Sequence, residues 1–244
     1  DLCSLQPIMK KEPSPEKQLL LMQQAYEKMH QALLKTHRPI VYSLCQYGKD
    51  DVWKWGPKVG GNLWRTTGDV SDNYARMSEI GFSQAGLSKY AAPGHWNDPD
   101  MLEVGNGHMS VDEYRTHMSL WAILAAPLLA GNDLSKMDDT TKSILMNKEV
   151  IAVDQDRMGK QGDRVNATGE FEIWMKPLSG GAKAIALFNR SEHAHDITVQ
   201  LASVGFPGST HARDLWLHKD LGILRSSYTA TVPAHGVVML RLSK

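Results

Sequence analysis

The chain has 244 residues, enough for one large domain or for a domain with a smaller companion. Its 42% hydrophobic and 22% charged content is that of an ordinary globular protein. Twenty-seven basic residues balance twenty-seven acidic ones, so no net field draws the chain to nucleic acid or to an anionic membrane. No apolar run reaches membrane-spanning length; the longest, Leu120 to Ala130, is too short and contains Pro127. The chain opens on Asp1-Leu2-Cys3, with no initiator Met and no signal-peptide pattern. That start is read as a fragment or a processed product, so the missing leader carries no information about export. Two cysteines, Cys3 and Cys45, establish little by number alone. Asn166-Ala167-Thr168 and Asn189-Arg190-Ser191 match the glycosylation acceptor pattern, which also arises by chance.

In chain order, residues 14–37 read as a helix. Ser14 can cap it, Pro15 suits its first position, and Leu19, Met22, Tyr26, Met29 and Leu33 share one face. Pro39 to Cys45 reads as a strand buried on both sides, because it is apolar without polar alternation. Leu63 to Thr67 is a second strand and roughly 71–89 a helix. His95 to Asn97 is a short strand. Ser110 and Glu113 form a capping-box pattern ahead of a helix over Tyr114 to Ala125. Leu128 to Ala130 reads as a short strand and Thr140 to Met146 as a short helix. Such alternation implies a parallel sheet, with a length that suits half of an eight-stranded barrel.

The pattern changes after about Val153. Phe171 to Met175, Ala184 to Phe188, Asp196 to Leu201, Tyr228 to Val232 and Val237 to Leu242 are strand-like and separated by Gly, Pro, Ser and Asn. Gly180-Gly181 marks a hairpin turn. Strands at this spacing indicate an antiparallel sandwich. The expected division is a barrel half over residues 1–153 and a β-sandwich over residues 154–244.

Two segments carry the chemistry. Leu63-Trp64-Arg65-Thr66-Thr67-Gly68-Asp69 and His95-Trp96-Asn97-Asp98-Pro99-Asp100-Met101-Leu102 each run from apolar residues into carboxylates. Consecutive barrel strands deliver functional side chains at their C-terminal ends in this way. Glycoside hydrolysis needs two carboxyl groups flanking one bond. Asp69 is the best candidate for one of them, with Arg65 as a donor to a hydroxyl or a carboxylate. The same residues could instead cap a helix and form a structural ion pair. Asp98 reads as a turn residue and Asp100 as ligand-facing. Trp64 and Trp96 read as core. His95 and His108 lack partners at metal-ligand spacing.

These residues resemble a known family. The segments Ser43 to Gly48, Trp64 to Asp69, Gly94 to Leu102 and Ala125 to Asp133 are together similar to the melibiase-type α-galactosidases, glycoside hydrolase family 27. The resemblance implies the second half of a (β/α)8 barrel followed by an antiparallel β domain. It also implies a retaining enzyme that needs no cofactor. Asp69 falls on the family's acid/base. Asp1-Leu2-Cys3 matches the end of the segment bearing the nucleophile, which assigns that role to Asp1. The resemblance further implies a disulfide between Cys3 and Cys45, and hence an oxidising compartment: secreted, periplasmic or lysosomal. Cys45, Gln46, Tyr47, Arg65, Asp100 and Met101 fall on substrate-binding positions. Bulky Gln46 and Tyr47 stand where N-acetylgalactosaminidases use smaller residues, which favours a galactose with a free 2-hydroxyl. The implied partner is a galactose-terminated oligosaccharide or glycoconjugate. Alternatives are an α-N-acetylgalactosaminidase, a β-L-arabinopyranosidase, or a sugar-binding module without turnover. Residues 1–244 alone are expected to be inactive, since in the family the first three strands carry contacts to the sugar's far hydroxyls.

Overall fold

The computed structural model describes residue 2 and residues 4–244. Asp1 and Cys3, the expected nucleophile and one expected half-cystine, lie outside the described residues.

The first part alternates helices and short parallel strands. These are α1 (Gln6–Met9), α2 (Pro15–Leu34), β1 (Ser43–Leu44), α3 (Val52–Trp55), β2 (Leu63–Arg65), α4 (Tyr74–Phe82), β3 (Trp96–Asp98), α5 (Val111–Leu124), α6 (Asp139–Leu145) and α7 (Lys148–Asp154). Ser14 caps α2 as expected, its hydroxyl accepting from the Lys17 amide. Ser110 and Glu113 form the reciprocal capping box of α5. The strands lie in the order β1-β2-β3, with Leu44 opposite Trp64 and Arg65 opposite Asp98. An isolated parallel bridge joins Leu102 to Ala130, where a strand over Leu128 to Ala130 was expected.

Two expectations need correction. Pro39 to Cys45 is not a strand buried on both sides: only Ser43–Leu44 pair, and Val41 is 72% exposed. Among the described residues β1 is the edge of its sheet, with no strand paired to its outer side. The helix expected over 71–89 is helical only from Tyr74 to Phe82. It crosses α5 closely at Gly81, where a Cβ would stand 2.6 Å from Leu120 and 2.9 Å from Trp121. Only glycine permits that approach.

The second part is all antiparallel: β4 (Asp163–Thr168), β5 (Phe171–Pro177), β6 (Lys183–Asn189), β7 (His195–Gln200), β8 (Ser209–Asp214), β9 (Lys219–Arg225), β10 (Ser227–Val232) and β11 (Val237–Ser243). Six strands form a sheet in the order β4-β5-β6-β11-β8-β9, and β10-β7 form a second. β6 shows why its sequence is apolar throughout. Ala184, Ala186 and Phe188 join the core that includes α5, while Ile185 and Leu187 join the core between the sheets. Successive side chains point to opposite faces, and here both faces are buried. Sequence patterning missed β4, β8 and β9. Five of the six residues of β4 are exposed, and β9 carries Gly222 and pairs with β8 across a bulge at Ala212/Arg213. Neither pattern alternates cleanly. Of the two glycosylation triplets, Asn166 is exposed on β4. Asn189 is fully buried, its amide donating to the carbonyls of His193, Val232 and Pro233, so the folded chain closes it to modification.

Polar contacts fasten the two parts together. Lys176 of β5 is fully buried, and its ammonium donates to the carbonyls of Ala122 and Asp154. It therefore caps the last turns of α5 and α7 at once. Glu149 of α7 accepts two bonds from the Arg213 guanidinium, at 2.6 and 2.8 Å, and a third from His218. Arg213 above all holds the Glu149 carboxyl down to about 2, although burial opposes the shift. An unfolded glutamate titrates near 4.5, so this stabilisation is complete above that pH and is lost as pH falls toward 2. Glu149→Gln should lower Tm by about 2–4 °C at pH 7, the size of one solvent-screened ion pair. The gap to wild type should close by pH 2.5 in thermal melts. A gap that persists there would show that the pair's charge is not what matters.

Candidate active site at the strand ends

β2 ends at Arg65, and the backbone beyond it is pinned on both sides. The Thr66 amide donates to the Asp98 carbonyl, extending the pairing with β3. The Thr66 hydroxyl donates to the side-chain carbonyl of Gln84, with the Asp98 carbonyl a second acceptor. From the β1 side, the Gly48 amide donates to the Arg65 carbonyl. Gly48 has φ 77°, and a Cβ there would lie 2.0 Å from the Thr66 carbonyl oxygen. A side chain at 48 would force the β1 turn off the end of β2.

These constraints bring Arg65 to the centre of an acidic cluster. Its Nη2 lies 2.8 Å from Asp100 Oδ2 and 3.1 Å from Asp69 Oδ1, and it also donates to the Thr67 carbonyl. The Tyr47 ring centroid stands 5.7 Å from the guanidinium carbon, within cation–π reach. The two carboxylates differ in their surroundings. The side chain of Asp69 is 75% exposed and that of Asp100 only 12%. Asp100 Oδ2 also accepts from the Val70 amide, and Oδ1 from the Met101 amide. Met101 beside it is exposed.

Asp98 lies behind this cluster, buried, with Oδ1 accepting from the Asp100 amide. Burial pushes its carboxyl up to about 6, against the opposing pull of the Asp100 amide and the Arg65 charge. Trp64 is fully buried, as expected, and its indole donates to Asn97 Oδ1. Trp96 departs from the core reading. It begins β3 at the other end of the sheet, is half-buried, and lines a separate cleft of about 490 Å³ with Leu63, Pro127 and Arg157.

Of the expected site residues, Tyr47, Arg65, Asp69, Asp100 and Met101 come together. Gln46 does not join them. It is fully buried, and its side-chain carbonyl accepts from the Gly48 amide while its NH2 donates to the Lys49 carbonyl. A turn that must fold back over β2 uses the amide for its own backbone. Cys45 is half-buried, and among the described residues it has no disulfide partner; Cys3, its expected partner, lies outside them. Sequence reading missed Trp121, whose indole donates to the Asp100 carbonyl at 2.7 Å, and Gln84, which receives the Thr66 hydroxyl. Trp121 sits in α5 at a position that reads as ordinary core, and Gln84 lies in the turn that follows α4. Among the described residues no group of three or more His, Cys, Asp or Glu is arranged to hold a metal ion.

A family model described as alpha galactosidase A matches residues 8–156, more than half of the chain. The chain belongs to this family. A second model, the alpha galactosidase C-terminal beta sandwich domain, matches residues 168–242. The α-galactosidase of Cyamopsis tetragonoloba is 43% identical over 224 residues, covering 91% of this chain and 54% of that protein. The crystal structure of α-galactosidase I from Mortierella vinacea superposes with a TM-score of 0.86 at 34% identity, covering 92% of this chain and 63% of that one. A β-L-arabinopyranosidase from Geobacillus stearothermophilus superposes with a TM-score of 0.82 at 29% identity, covering 91% and 54%. The chain spans about half the length of the curated relatives it matches. Its fold is accordingly the second half of a (β/α)8 barrel followed by an antiparallel β-sandwich.

The elevated Asp98 carboxyl has a measurable consequence. Folded Asp98 titrates near 6 and an unfolded aspartate near 3.8, so the ionised form burdens the fold fully above pH 6 and not at all below 3.8. Asp98→Asn keeps an acceptor for the Asp100 amide and removes the charge. Its stability relative to wild type should rise by up to about 3 kcal/mol between pH 4 and pH 7.5 in urea melts. A difference that stays flat with pH would contradict this assignment.

Proposed function

We propose that the protein is a retaining glycoside hydrolase that releases terminal α-linked D-galactose. The observation that carries this reading is the unequal pair of carboxylates on Arg65. Asp69 is open to solvent and to an incoming bond, as a proton donor must be. Asp100, tied to Arg65 and to two backbone amides, suits recognition of sugar hydroxyls rather than proton transfer. Membership of the α-galactosidase A family supports the substrate class.

The reaction is a double displacement. Asp1, ionised, attacks the anomeric carbon and forms a glycosyl ester. Protonated Asp69 gives its proton to the departing glycosidic oxygen. Asp69 then takes a proton from water, whose oxygen attacks the same carbon and frees galactose and the Asp1 carboxylate. Retention requires these two carboxyl groups about 5–5.5 Å apart. Arg65, Asp100 and Met101 line the sugar pocket. Tyr47 restricts the space beside the 2-hydroxyl, which disfavours an acetamido group. Cys45 pairs with Cys3, fixing the loop that bears Asp1 and placing the enzyme in an oxidising, exported setting.

The likeness to a β-L-arabinopyranosidase gives a second reading, because that sugar matches galactose apart from the C6 hydroxymethyl group. Nitrophenyl α-D-galactoside, α-N-acetylgalactosaminide and β-L-arabinopyranoside, assayed with the full-length protein that contains this chain, separate the readings. The α-galactoside should give the highest kcat/KM. Asp69→Asn should cut kcat by about 10²–10⁴-fold. Hydrolysis that survives this change would remove Asp69 from its role.

A further inference from the structure

Asp100 holds a conformation that a side chain disfavours. Its φ is 92°, outside the regions open to most L-residues, at a cost that surrounding contacts must offset. Both ends of its backbone are held. Its amide donates to Asp98 Oδ1 at 2.9 Å, and its carbonyl accepts from the Trp121 indole at 2.7 Å. Trp121 is fully buried in α5, seven residues beyond Tyr114, and has no freedom to follow the loop if it moves. One turn back on α5, the His117 ring packs edge-on against Trp121 at 4.1 Å between centroids. His117 is also fully buried, and burial lowers its pKa to about 3, so it braces the indole as a neutral ring.

We infer that Trp121 is a positioning residue for the sugar pocket: its indole N–H holds Asp100 in the left-handed conformation that aims the carboxylate at Arg65. The inference rests on the proposed role of Asp100 in sugar binding. Two further bonds extend its consequence. Asp100 Oδ2 accepts from the Val70 amide, next to Asp69, and Arg65 is shared between Asp100 and Asp69. When Asp100 relaxes, it withdraws a partner from Arg65 and a tether from the loop that carries Asp69. Trp121 touches neither carboxylate; it acts through one carbonyl.

The test is a double-mutant cycle in the full-length protein, with kcat and KM for nitrophenyl α-D-galactoside normalised to folded enzyme by near-UV circular dichroism. Trp121→Phe keeps the ring and removes the donor. It should lower kcat/KM about tenfold, as loss of one buried hydrogen bond does. The loss should divide between kcat and KM as it does for Asp100→Ala. In the Asp100→Ala background, Trp121→Phe should cost little more. Losses that multiply, an unchanged kcat/KM in Trp121→Phe, or an Asp100→Ala variant as active as wild type would each overturn the inference. If Trp121→Phe does not fold, Trp121→His and Trp121→Leu replace it, one with a ring N–H and one without. The donor-bearing variant should be the more active, and equal activities would overturn the inference. Absence of wild-type turnover would instead sink the functional reading beneath it.

Discussion

Arg65 fixes a positive charge between two carboxylates, 2.8 Å from Asp100 and 3.1 Å from Asp69. Its planar fork can serve several acceptors at once. Much of the local structure follows from the need to hold it. Gly48 must be a glycine so that the β1 turn can cross the end of β2. Thr66 must reach Gln84 and the Asp98 carbonyl so that the strand end does not fray. Asp100 must accept a left-handed backbone so that its carboxylate meets the same guanidinium. A change in any of these displaces the others.

The sandwich serves the barrel half by burying what the helices leave exposed. One core runs from α4 and α5 through Trp174, Ala184, Ala186 and Phe188 to Met239, so no boundary of solvent separates the parts. Apolar burial sets the strength of that contact but not its orientation, because the hydrophobic effect is non-directional. Orientation comes from polar contacts that tolerate little displacement. The Lys176 ammonium sits on two helix ends, and the Arg213 fork closes on Glu149. Gln161, in the linking segment, reaches the Asn97 side chain, which also receives the Trp64 indole. The link between the two parts thus bears on β2 and β3, the strands that end in the acidic cluster.

The capping box of α5, the Ser14 cap of α2 and the hairpin at Gly180-Gly181 were legible because each depends on residues a few positions apart. β6 was legible because both of its faces are buried. The polar strand β4 and the bulged pair β8 and β9 were not, since their pairing depends on neighbours remote in sequence. The same division runs through the site. Arg65 and Asp69 are four residues apart and announce themselves on one strand end. The Asp100–Trp121 bond spans 21 residues, and Trp121 reads as one more apolar position on a helix.

By itself the sequence determined the switch from βα units to antiparallel strands, and it marked two strand ends that carry carboxylates. Those are properties of composition, periodicity and short spacings, which act locally. The tertiary structure decided how the residues are used. It turned Gln46 into the turn and left Tyr47 beside Arg65. It buried Asp98 and left Asp69 open. It brought a buried indole under Asp100. Each outcome depends on which groups lose contact with water and which distant groups meet them there, and only the folded chain brings those groups together.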